Sequence, residues 1–226
     1  IAADARAESV SVDLKNLERD LREVLDPLTD QRLIPGYFLT LHRSGEVLLE
    51  ISEGFADDES KLMPSEHTLY AVASMTKPLT ALASVKLFSE GRLSPDDPVS
   101  KFLPQFSSPL VALGGSYDSQ LEPVRSPMLI SHLLTHTSGL TYSSDITGVG
   151  DIARAYKDLK ILTLDSNVQT DLGTLEAHVN QLAELPLISH PGDEFNYSVS
   201  YDLLSAIIEK VVEEPFDKYM VREIFE

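Results

Sequence analysis

LYAVASMTKPLTALASVKLF, residues 69–88, is the stretch from which the rest of the chain is read. Ser74 and Lys77 stand three residues apart where a small-residue approach turns into a helical pattern. From Lys77 onward Leu79, Leu82, Val85 and Phe88 recur at three-residue steps, with Ala81, Ala83 and Leu87 between them, which predicts a helix with a buried face. Pro78 is tolerated in a helix's first turn, where its missing N–H has no intrahelical partner, so its position places the helix start close to Ser74. Ser74 is then expected at or near the N-cap, with Lys77 one turn on along the same side. Two readings are open on these residues alone: a nucleophile beside its base, or a capping serine followed by a solvated lysine.

Working outward, the composition bounds the class. With 226 residues, 42% hydrophobic and 24% charged, the chain is long and apolar enough to bury a sizeable core in one or two domains. It has no apolar run long enough to span a bilayer. The formal charge of -18 argues against nucleic acid and anionic membrane partners, which it would repel. The absence of cysteine removes disulfides, thiolate metal sites and cysteine nucleophiles. Nothing near Ile1 resembles a signal peptide; a cytoplasmic location is the expectation, with periplasmic or secreted ones open.

Before the central stretch, Leu14, Leu17, Leu21, Val24, Leu25 and Leu28 mark an amphipathic helix from about Ser11 to Leu28. Tyr37 to His42 and Val47 to Ile51, separated by a turn at Arg43 to Glu46, predict a β-hairpin. Asp57 to Glu66 reads as a loop. Past Gly91, suited to a left-handed C-cap, Ser94 to Pro104 is a proline-punctuated connector, and Ser107 to Pro127 an irregular loop with Gly114 and Gly115 at its tip. Helices are predicted at Ile130 to Leu134, Ile152 to Leu162, Thr174 to Leu185, Ser200 to Glu213 and from Pro215 onward. The domain division expected is 1–68, helix plus hairpin, and 69–226, helical.

A second constellation is Pro191 to Leu204, PGDEFNYSVSYDLL, in which Tyr197 sits between a turn and an apolar helix. A phenol near a lysine is held closer to its anion and can shuttle protons, although a hydrogen-bonded core tyrosine fits the sequence as well. In order, SMTK at 74–77, SHLLTHTSGL at 131–140 and PGDEFNYSVSYDLLSAIIEKV at 191–211 resemble the serine β-lactamase and penicillin-binding-protein-like family. The resemblance is to its class C branch and, within that, to the family VIII carboxylesterases.

That resemblance implies a β-lactamase/transpeptidase-like fold, an α/β layer plus an all-α domain with the cleft between them. It implies Ser74 as the acyl-accepting nucleophile, Lys77 as its activating neighbour and Tyr197 as the proton carrier, with the Ser74 backbone N–H as half of the oxyanion hole. The HTSG loop is structural in the family, which argues against His136 as a base. The histidines lack the spacing of a zinc helix, and neither metal nor cofactor is implied. Tyr142 is a candidate to line the substrate pocket, a packing role being equally open.

Two departures from the family pattern shape the expectation. Val199 stands where the family's Y-S-N carries its amide, so Val199 is expected at the substrate with no amide contact to offer, which favours a small-molecule ester. The family's third motif, K-T-G or a substitute, and the sheet strands around it are absent. The chain is therefore expected to be one piece of a longer protein, needing a C-terminal segment to complete the fold. The rival activities are β-lactamase, D-amino peptidase or transpeptidase and acyltransferase; a non-catalytic penicillin-binding-like protein is the rival of another class.

Overall fold

The computed structural model describes residues 12–116, 118–161 and 174–226. The chain divides into two compact units, Ile1–Ala71 and Val72–Glu226, three residues beyond the division expected.

In the first unit, helix α1 spans Leu14–Asp30 and strands β1 and β2 span Gly36–Arg43 and Glu46–Gly54. Asp13 caps α1 by accepting the Asn16 N–H at 3.2 Å. The helix thus starts later than Ser11, the start predicted. Ser44 and Gly45 both have positive φ, 51° and 86°, so the hairpin closes on a two-residue turn whose twist matches its antiparallel strands. Leu17, Leu21 and Leu25, four residues apart on α1, pack over Tyr37, Leu49 and Ile51 of the hairpin. The Tyr37 hydroxyl donates to Asp26 Oδ1 at 2.6 Å and ties helix to strand. Val24, read from the sequence as part of the apolar stripe, is 67% exposed.

In the second unit, α2 (Thr76–Ser89), α3 (Ile130–Leu134), α4 (Asp151–Asp158), α5 (Leu175–Ala183), α6 (Ser200–Val212) and α7 (Phe216–Met220) follow in order. Helix α6 is the centre: Leu203, Leu204, Ile207 and Ile208 are wholly buried, and α2, α3, α5 and α7 all pack on it. After Met220 the last turn widens into a π-helix over Val221–Phe225.

Four expectations change here. The buried face of α2 is Thr80, Ala83, Ser84 and Leu87, while Leu82 and Val85 are about half exposed. A three-residue step drifts around a helix of 3.6 residues per turn, so the stripe read from the sequence crossed two faces. The small side chains of Ala83 and Ser84 lie on the face that meets the core. The loop at Ser107 to Pro127 contains a short antiparallel pair, β3 (Leu110–Ala112) and β4 (Leu121–Pro123). Strand β3 is also pinned to the segment after α5, where the Leu187 N–H donates to Leu110 O and the Ala112 N–H to Leu187 O, each at 2.8 Å. Helix α4 stops at Asp158, short of the end predicted, with Lys160 at φ 58°, and Leu162 lies outside the described residues. Helix α5 begins after Thr174, whose side chain caps it at the Ala177 N–H.

Candidate active site

The backbone turns sharply just before Ser74. Ala73 has φ 44°, a left-handed conformation that costs a residue with a Cβ about 1 kcal/mol and persists where the surroundings over-determine it. A single 3-10 turn over Ala73–Met75 follows, closed by the Met75 N–H donating to Val72 O at 3.0 Å, before α2 begins at Thr76. Ser74 is therefore not the N-cap of α2, which is Met75. It lies one residue ahead of that cap, and Lys77 in the helix's first turn reaches back so that Nζ donates to Ser74 Oγ at 3.2 Å.

Tyr197 reaches the same place by a different route. The segment that carries it runs along the loop after α3 and is held on both sides of the tyrosine. The Asn196 N–H donates to His136 O at 2.7 Å, the Ser198 N–H to His136 Nδ1 at 3.3 Å and the Val199 N–H to Thr141 O at 3.3 Å. Beneath them Ser138, Ser198 and Ser200 are fully buried, with Ser200 Oγ 2.7 Å from each of the other two hydroxyls. Gly139 lets the two segments approach. Its φ is 83°, and a Cβ there would stand 2.2 Å from Ser189 O.

His136 shows why this loop has the sequence it does. Its ring is buried and lies 4.6 Å from the Tyr197 ring and 5.2 Å from that of Tyr201. Because Nδ1 accepts the Ser198 N–H, the ring proton sits on Nε2. Burial, and then the nearby Lys77 charge, hold its pKa below the ordinary histidine value, so the ring is neutral. Its ring packs beside Tyr197 and its Nδ1 holds the following residue, Ser198.

Around Lys77 the two tyrosines are set apart electrostatically. Burial works against the Lys77 charge, but hydrogen bonds with Tyr142 and Tyr197 outweigh it and raise the ammonium's pKa above the usual lysine value. Lys77 Nζ donates to Tyr142 Oη at 2.9 Å and stands 4.8 Å from the Tyr197 ring centre. Burial keeps Tyr142 protonated, its pKa raised despite Lys77. For Tyr197 burial also opposes ionisation, yet hydrogen bonds with Ser74 and Lys77 prevail and lower its pKa. The same lysine thus stands between two phenols shifted in opposite directions, Tyr197 held nearer its anion and Tyr142 held as the phenol.

These side chains line a cavity of about 410 Å³ whose wall is otherwise largely apolar, with Ile146, Leu175, Tyr201 and Phe216. Asp202 stands in that wall with its ionisation pushed up to about 6 by burial. Sequence reasoning passed over it, because an acid in the first turn of a helix has an ordinary explanation in the helix dipole. Tyr142, given from the sequence as a pocket-lining candidate, lines the cavity and bonds Lys77 directly. Val199 does not line it. It is the N-cap residue of α6, fully buried in the hydrophobic core, so the expectation that it meets substrate is corrected. Its backbone is spent on the Thr141 bond, and its side chain turns inward as the helix begins. Among the described residues no cluster of acidic and histidine side chains is able to hold a metal ion, and no helix is long and apolar enough to cross a membrane.

Set beside solved structures, the chain has a β-lactamase/transpeptidase-like fold. It superposes with TM-score 0.76 and 30% identity on "EstCE1, a hydrolase with promiscuous acyltransferase activity", over 95% of this chain and 52% of that one. On the octameric penicillin-binding protein homologue from Pyrococcus abyssi the TM-score is 0.67 at 28% identity, over 95% and 42%. The chain belongs to the Beta-lactamase family, whose sequence profile matches residues 21–226. Esterase EstB of Burkholderia gladioli is 34% identical over 214 residues, 95% of this chain and 50% of EstB. The chain spans half or less of the length of the curated relatives it matches.

Proposed function

We propose that this chain carries the acyl-accepting serine of a carboxylic ester hydrolase of the family VIII carboxylesterase kind. The observation that carries the reading is the convergence of Ser74, Lys77 and Tyr197 in the lining of one largely apolar cavity. Tyr197, ionised to the phenolate beside the Lys77 ammonium, takes the Ser74 hydroxyl proton and becomes the phenol. Ser74 Oγ forms a bond to the ester carbonyl carbon, and the oxyanion is held by backbone donors including the Ser74 N–H. Collapse breaks the carbon–oxygen bond to the alcohol, which leaves with the proton from Tyr197. Water then gives a proton to the phenolate and attacks the acyl carbon; the bond to Ser74 Oγ breaks, Tyr197 returns that proton to Ser74 Oγ, and the acid leaves.

An ester is favoured over an amide because no side-chain amide lines the cavity among the described residues, and its wall is apolar. Similarity to two proteins named as esterase and hydrolase points the same way. An alcohol in place of water at the second step would give acyl transfer, the activity in the name of the EstCE1 structure. The test is turnover by the full-length protein of a short p-nitrophenyl ester against a chromogenic cephalosporin. Ester turnover lost in Ser74→Ala supports the proposal; efficient cephalosporin turnover without ester activity reverses it in favour of a β-lactamase.

A further inference from the structure

The polar groups that line the cavity with Ser74 are unequally satisfied. Thr80 Oγ1 donates to Thr76 O at 3.3 Å, Ser205 Oγ to Tyr201 O at 2.9 Å and Tyr201 Oη to Leu134 O at 3.1 Å, so these hydroxyl protons are committed within the protein. The Asp202 carboxylate accepts from its own backbone N–H and has no side-chain hydrogen-bond partner among the described residues. The nearest cation-capable group is His178 Nε2 at 4.0 Å, on a ring that burial keeps neutral and whose two nitrogens are unpartnered. Lys77 acts on Asp202 only from beyond ion-pair distance. The titratable groups facing the carboxylate are thus Lys77 from α2, Tyr142 from the loop after α3 and His178 from α5. Its side chain is 30% exposed, and it lines the cavity that Ser74 shares.

Buried carboxylates are costly unless something complementary meets them. Here the wall offers a ligand a negative acceptor and no uncommitted proton from Thr80, Ser205 or Tyr201. The chain's formal charge of -18 also favours the approach of cations and opposes that of anions.

Resting on the ester-hydrolase reading, we propose that Asp202 is a specificity-determining residue, selecting esters that carry a cationic group on the part of the substrate lying in this cavity. The cation meets the Asp202 carboxylate while the ester carbonyl stands at Ser74. An ammonium on either the acyl or the alcohol part satisfies this chemistry, and the assay separates the two.

The experiment measures kcat/KM of the full-length protein on two isosteric pairs. For the alcohol side the pair is butyrylthiocholine and the neutral thioester in which a tert-butyl group replaces trimethylammonium. For the acyl side it is the p-nitrophenyl ester of trimethylammonio-butyric acid and its tert-butyl isostere. The expected result is a preference for the cationic member of one pair, on the order of tenfold at low salt. That preference grows as pH rises through about 6, where Asp202 ionises, and collapses towards unity in Asp202→Asn. A ratio at or below unity in both pairs overturns the proposal. So does a preference that survives Asp202→Asn and vanishes with salt, since that is steering by the acidic surface. The wild-type pH dependence needs no variant, so the proposal stays testable if the substitution misfolds. If neither ester of either pair is turned over and a fluorophosphonate leaves Ser74 unlabelled, it is the hydrolase reading that has failed.

Discussion

Replacing Asp202 by asparagine is expected to stabilise the protein at neutral pH and to do nothing of the kind in acid. Burial raises this carboxyl from 3.8 to about 6 in the folded state. A folded-state pKa above the unfolded value means that the native protein holds the proton more tightly. The associated stability is fully present below the unfolded value and is lost as pH rises through the folded one. The shift of about 2 units corresponds to about 3 kcal/mol at most. Because the side chain is 30% exposed, solvent screening reduces this to about 1–2 kcal/mol. Asparagine has nearly the same shape and no charge, so it avoids the cost at every pH. The assay is the urea midpoint of wild type and Asp202→Asn at pH 4 and pH 7.5. The variant should be more stable at pH 7.5 by the amount above, with the gap closing towards pH 4. A variant less stable than wild type at pH 7.5, or a gap equal at both pH values, refutes the reasoning. A gain in stability joined to a loss of cation selectivity would be the signature of a residue kept for function at the expense of the fold.

Other substitutions probe the geometry around it. Tyr142→Phe removes the acceptor of the 2.9 Å bond that helps raise the Lys77 pKa, so the alkaline limb of the kcat profile should move to lower pH and kcat fall roughly tenfold. An unchanged limb would detach Tyr142 from Lys77. His136→Ala empties the space beside the Tyr197 ring and leaves the Ser198 N–H without its acceptor. It should lower kcat far more than it changes KM and cost about 2–3 kcal/mol in a denaturant titration. Gly139→Ala forces a Cβ against Ser189 O in a left-handed conformation, and should cost more than about 2 kcal/mol or prevent soluble expression; a variant as stable as wild type would show that the two segments are not held so closely.

Ser74, Lys77 and Tyr197 could be singled out from local patterns, a three-residue spacing at a helix start and a tyrosine before an apolar helix. Those patterns left a capping serine and a core tyrosine equally open, and it was the resemblance of three ordered motifs that grouped them; the structure brings the three side chains together. The hairpin was plain, since alternation and a Ser-Gly turn are short-range signals. What escaped depends on contacts distant in sequence. The service of His136 to Tyr197 rests on a bond to Ser198, sixty-two residues away, and nothing near His136 announces it. Asp202 is disguised as a helix-dipole acid until α2 and α5 close around it. Val199 was assigned to the substrate by its place in a motif, but the start of α6 turns it into the core. Leu82 and Val85 show the same limit, because an apolar helix does not say which of its faces the core will take. Strands β3 and β4, three residues each, are too short to alternate visibly and exist through their pairing with one another and, for β3, with Leu187.

The central claim is that Ser74 is an activated nucleophile, and covalent labelling reads this directly. The full-length protein, treated with a fluorophosphonate and mapped by peptide mass spectrometry, should carry one adduct on Ser74, formed fastest above the pH at which Tyr197 loses its proton and slowed by orders of magnitude in Tyr197→Phe. An unmodified Ser74 in folded protein, or an adduct on another serine with Ser74 untouched, would contradict it.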